Sequence, residues 1–240
     1  MERPVVLASA SIPAYAASSL TCQTLSWPTS ASSTSKTLTN GSYTVTVTQS
    51  RTAGANSLYN GASSDMVAAA AGSQVGTGTA NTGTEGNGYT VGSTTSSVLT
   101  LNQRTNGTRA AAAQTLTFTI TDSSGKAVTP KSISFNIYDV TGSSGGTNAN
   151  SYGDVVTLSN ATWQLSNFLG YAQSDYTTAS STQLAMTTVR NLSLNTVTSV
   201  TATVTPTSNS FSLTYSNGNA STLQAWTNNQ YIGIGDITIC

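Results

Sequence analysis

One pattern constrains this chain more than any other: apolar and hydroxyl side chains alternate with a period of two, run after run. The stretch Ser42-Tyr43-Thr44-Val45-Thr46-Val47-Thr48 alternates strictly, as do residues 115–121, 132–138, 200–205, 210–215 and 231–239. A strand sends successive side chains to opposite faces, so each run carries one apolar face and one face of Thr or Ser. The branched Cβ of Thr suits a pleated backbone. Turn pairs punctuate the runs: Asn40-Gly41, Asn106-Gly107, Ser124-Gly125 and Asn217-Gly218-Asn219.

Three other kinds of segment stand out. Residues 72–92, rich in Gly, Thr and Asn, read as a long loop or a weak hairpin around Gly88-Tyr89-Thr90-Val91. A second such loop runs from Thr141 to Tyr152, and the stretch Ala161 to Thr182 reads as irregular. The Ala-rich pieces at 66–71 and 110–113 are long enough for single helical turns only. The expected class is therefore all-β: one large antiparallel β-sandwich over residues 17–240, jelly-roll-like or Ig-like. Two smaller sandwiches split near residue 107 are the alternative. No fixed repeat period is present to suggest a solenoid.

Composition narrows the function classes. Ser, Thr and Asn (37, 44 and 19 residues) fill 100 of the 240 positions, while 8 basic and 8 acidic residues cancel. A neutral chain generates no field that gathers nucleic acid or an anionic membrane. Histidine is absent, which removes the commonest general base and metal ligand together. No Gly-x-Ser-x-Gly elbow occurs either, so a conventional hydrolase triad is excluded and the chain is expected not to be an enzyme.

The two ends carry their own signals. Residues 5–18 form a short apolar stretch closing on Ala14-Tyr15-Ala16, the pattern of a secretory leader and its cleavage site. Residues 1–16 are accordingly expected to be a signal remnant, with a first structural strand as the alternative. The only cysteines are Cys22 and Cys240. In an exported chain an even pair reads as a disulfide, here joining the start of the mature chain to its last strand. A Cys–Gln thioester using the adjacent Gln23 is a remote alternative.

Candidate binding residues come from the acids and the aromatics. Asp139 and Asp154 flank the 141–152 loop, and with Asp236 they could converge on calcium, which takes six to eight oxygen ligands. The ordinary reading is that each aspartate caps a turn, with no cofactor. Trp163, Tyr171, Tyr176 and Trp226 lie among Asn, Gln and Ser, where rings could stack on sugars and amides could bond hydroxyls. Burial against the sandwich is the plainer alternative for them.

A strand ending Phe135-Asn136-Ile137-Tyr138-Asp139, a Gly/Ser/Asn loop, then Tyr152-Gly153-Asp154-Val155-Val156 and a closing Ile232-Gly233-Ile234-Gly235-Asp236-Ile237 make a further pattern. It resembles a group of secreted and surface-displayed β-sandwich proteins of actinobacterial type, over roughly residues 115–240. The resemblance implies an extracellular or cell-surface location and no defined activity. The expected function is a secreted or surface structural or adhesive module, non-catalytic, meeting an extracellular protein or polysaccharide. Self-association is open to its long neutral strands, and membrane insertion is not expected. Carbohydrate binding through loop aromatics with calcium is one alternative. Ice binding, prompted by Thr-x-Thr at Thr44, Thr115, Thr201 and Thr203, is another.

Overall fold

The computed structural model describes residues 22–28, 34–51, 55–56, 66–69, 74–75, 89–90, 98–105, 113–143, 152–186, 198–217 and 230–240. The expected leader at 1–16 and residue 107 lie outside them. The strands are β1 (Gln23–Leu25), β2 (Ser35–Thr39), β3 (Tyr43–Arg51), β4 (Ala55–Asn56), β5 (Met66–Ala69), β6 (Gln74–Val75), β7 (Tyr89–Thr90) and β8 (Val98–Thr105). Then come β9 (Ala113–Asp122), β10 (Ile133–Tyr138), β11 (Gly142–Ser143), β12 (Tyr152–Ser159), β13 (Ala161–Leu169), β14 (Thr178–Ala179) and β15 (Gln183–Ala185). The last are β16 (Ser199–Pro206), β17 (Ser210–Asn217), β18 (Gln230–Ile234) and β19 (Ile237–Ile239).

Every alternating run became a strand, and all pairings are antiparallel. The first sheet contains the order β8-β18-β10-β16, and the second contains β9-β17-β12-β15. The chain crosses between sheets at each step from β8 to β9 to β10 to β12, and again from β15 through β16 and β17 to β18. The last of these strands, β18, therefore lies between β8 and β10, which is jelly-roll order and not Ig order. β13 is inserted on the way from β12 to β15 and adds to the first sheet beside β16. β3 and β2 extend the second sheet beyond β9.

Apolar residues from Leu25 to Ile239 form one buried cluster between the sheets. Phe118 on β9 stacks on Phe211 of its neighbour β17 at 4.7 Å between centroids, and faces Phe135 of the opposite sheet at 6.4 Å. Offset aromatic contacts at such distances add to simple area burial. Cys22 and Cys240 are bonded, with Cα atoms 4.3 Å apart and 218 residues between them in sequence. The bond continues the β1–β19 ladder, in which Gln23 lies opposite Ile239.

Several local expectations are corrected. Residues 161–169 are a nine-residue strand, β13, and not an irregular stretch, because Ala161 and Trp163 pack inward while Thr162 and Gln164 face out. The Ala-rich piece at 66–69 is strand β5, paired with β8, and Ala113 opens β9. An extended ladder satisfies their backbone groups where a single helical turn would leave most of them open. In the segment 72–92, Gln74–Val75 pairs with Tyr89–Thr90 as a small hairpin.

Candidate functional site

Two features of the sandwich are chemically distinctive. The first is a buried oxygen cluster at one end of the core. Asp154, the third residue of β12, lies on the inner face, alternating with Val156 and Leu158, and is 1% exposed. Its Oδ2 accepts from the Thr141 backbone N–H at 3.0 Å and from the Thr141 hydroxyl at 3.4 Å. Its Oδ1 accepts from the Tyr215 hydroxyl at 2.8 Å. Burial pushes its carboxyl up to about 7, although the Thr141 and Tyr215 hydrogen bonds pull the other way.

Asp139 terminates β10 in the other sheet, with a left-handed φ of 60°. Its N–H donates to the Thr198 carbonyl at 3.0 Å, which continues the β10–β16 ladder by one rung. Desolvation, and next the charge of Asp154, hold its carboxyl well above the usual carboxylate range. Tyr176 lies in the same field: burial, then Tyr171, Asp154, Asp175 and Asp139, raise its hydroxyl. Thr198 is 1% exposed and its Oγ1 has no hydrogen-bond partner. Hydrogen bonds thus join Thr141 and Tyr215 to Asp154, the charge of Asp154 reaches Asp139 and Tyr176, and register sets Thr198 opposite Asp139.

The structure brings Asp139 and Asp154 together and leaves Asp236 elsewhere. Asp236 sits at the break between β18 and β19, where Oδ2 accepts from the Ser26 hydroxyl at 2.9 Å. Among the described residues no three acid or cysteine side chains gather. The expected three-aspartate convergence is therefore a pair. Asp122, by contrast, is an ordinary turn cap, accepting from the N–H groups of Ser124 and Lys126.

Three of the four aromatic candidates are internal. Trp163, Tyr171 and Tyr176 are 3%, 4% and 7% exposed. The Trp163 indole N–H donates to the Ser180 carbonyl at 2.7 Å, and Tyr171 packs edge-on to Tyr176. Stacking on sugar needs an open ring face, and these three rings spend theirs on the core. Trp226 lies outside the described residues.

The second feature is the outer face of the second sheet. Cross-strand register lines its outward residues into four ranks. They run Thr39-Thr44-Thr121, Thr37-Thr46-Thr119-Ser210, Ser35-Thr48-Thr117-Ser212-Ser159 and Ser50-Thr115-Thr214-Thr157. Every position named bears a hydroxyl; the fourth rank continues to Gln183 on β15, and the next rank holds Ala113, Ser216, Val155 and Ala185. Neighbours along a rank are about 4.7–4.9 Å apart, and successive ranks lie about 6.8 Å apart along the strands. Thr115 and Thr214 hydrogen-bond across the ladder at 2.9 Å, and Thr117 reaches Ser212 at 3.2 Å. Thr201 and Thr203 project from the other sheet, on the opposite face of the molecule, where Thr201 donates to Asn136 at 2.8 Å.

Several participants escaped the sequence reading: Thr141, Thr198 and Tyr215 in the cluster, and Trp27, whose indole N–H holds the Gly235 carbonyl at 2.8 Å. Tyr215 had a signal, being the one polar-tipped residue at an inward position of its alternating run. Thr198 had none, since register alone sets it opposite Asp139. No family model, no curated protein and no solved structure matches the chain.

Proposed function

We propose that this chain is a secreted or cell-surface β-sandwich module, structural or adhesive and not catalytic, that meets its partner through the hydroxyl face of the second sheet. The four ranks carry this reading. An uncharged array of Thr and Ser offers hydrogen bonds at regular spacing and presents no charge to attract nucleic acid. Its chemistry matches an extended polyhydroxylated surface such as an insoluble polysaccharide. The disulfide supports export, since such bonds persist in oxidising compartments.

The test is co-sedimentation of the full chain with cellulose, chitin and bacterial cell wall. Thr46→Lys with Thr117→Lys places two charges inside the second and third ranks. Binding should be lost while each substitution changes stability by only about 0.5 kcal/mol, as surface changes usually do. Undiminished binding by this variant would remove the face from consideration. The regularity of the ranks also favours a second reading, contact with the ordered water of ice. Thermal hysteresis measured on the same two proteins distinguishes it.

A further inference from the structure

We propose that the oxygen cluster between the sheets is a binding site for a single calcium ion, held by the carboxylates of Asp139 and Asp154 and the hydroxyl of Thr198. The proposal does not depend on what the outer face contacts.

The donors converge from both sheets. Thr198 lies opposite Asp139 and alternates with Val200 and Ala202, both fully buried, so its side chain faces inward. Asp154 faces inward from the second sheet, alternating with Val156 and Leu158. The backbone N–H of Thr141, two residues beyond Asp139, fixes the Asp154 carboxylate from the side of the connecting segment. Tyr215 fixes its other oxygen from within the core. Oδ2 of Asp154 accepts twice from Thr141 and Oδ1 once from Tyr215, so one lone pair, on Oδ1, remains for a ligand beside the carboxylate of Asp139.

Thr198 Oγ1 is the independent observation. A buried hydroxyl without a partner costs about 1–3 kcal/mol in a native core and calls for an explanation. A hard cation supplies one, because the hydroxyl oxygen can then donate its lone pair. All donors are oxygens, which suits calcium and not a soft metal. Main-chain carbonyls and water complete the six to eight ligands calcium takes.

The competing account is a purely structural pair in which one carboxyl stays protonated. The experiment uses the full chain with its disulfide intact, stripped with chelator and dialysed. Calcium chloride titrated in a calorimeter should show one site per chain, with Kd on the order of 10⁻⁴–10⁻³ M, as in other extracellular modules. At about a hundred times Kd the melting temperature should rise by about 5–10 °C. Terbium should bind competitively with calcium and emit on tyrosine excitation, since Tyr215 and Tyr176 adjoin the donors.

Asp139→Asn keeps the left-handed backbone, which Asn tolerates, so this variant should fold. It should lose calcium binding, terbium emission and the thermal shift together. Thr198→Val, nearly the same shape, should weaken binding without lowering the chelated protein's melting temperature. Absence of saturable calcium binding by the wild-type chain would overturn the proposal. So would full retention of binding by Asp139→Asn.

Discussion

At the residue scale, the Asp154 carboxyl links structure to a measurable pH dependence. Its folded value is pushed up to about 7, chiefly by burial, whereas an unfolded aspartate ionises near about 3.9. Between those values the unfolded chain has released a proton that the folded chain keeps. Stability contributed by this group is therefore fully present below about pH 4 and is lost as pH rises toward about 7, by on the order of 4 kcal/mol at most. Asp139 acts in the same direction, and Tyr176, whose hydroxyl is raised, stays neutral throughout. Urea midpoints in chelator should fall from pH 4.5 to pH 7.5, and Asp154→Asn should flatten the profile. A midpoint that climbs over this range would contradict the assigned burial. Asp139 and Asp154 could be paired from sequence because they bracket one short connection. Thr198 and Tyr215 could not, because only cross-strand register carries them to the same place.

At the scale of elements, strict alternation marks a strand with one face in the core and one in water, which is why β3, β9, β10, β16 and β17 were legible. β12 was not: residues 153–156 are buried one after another, so no period of two remains to read. β13 loses its alternation after Leu165, where a register shift interrupts its pairing with β16. The ranks of hydroxyls were likewise invisible as ranks, since sequence shows Thr-x-Thr along one strand and not which strand lies beside it. The run at 231–239 is one line in sequence but two strands in space, β18 and β19, both paired to β10. Gly235 makes the break possible. A Cβ there would stand 3.2 Å from the Tyr138 ring and 3.6 Å from the Asn136 Cβ, and its N–H bonds the Asn136 carbonyl. Gly235→Val should therefore cost about 1–3 kcal/mol by overpacking. Denaturant unfolding measures it, and an unchanged midpoint would show that the break tolerates a side chain.

For the whole molecule, the question is how a sandwich closes its first and last strands. β19 lies between β1 and β10, and the Cys240 carbonyl also accepts from the N–H groups of Lys131 and Ser132. β1 has only three residues, so its pairing alone is a weak anchor. The bond between Cys22 and Cys240 acts chiefly on the unfolded chain, closing a loop with a sequence separation of 218. On the chain-entropy account that contributes roughly 5 kcal/mol, an upper figure because strain and residual structure reduce it. For a protein of this size the loss corresponds to a fall of about 10–20 °C in melting temperature. Cys240→Ser should melt lower by that order while keeping the wild-type strand signal in circular dichroism, because the apolar cluster between the sheets contains neither cysteine. Reducing the wild-type protein should bring it to the same temperature, which separates loss of the bond from any effect of the new side chain. Equal melting temperatures for all three would mean that the short ladder of β1 on β19 holds the ends without help.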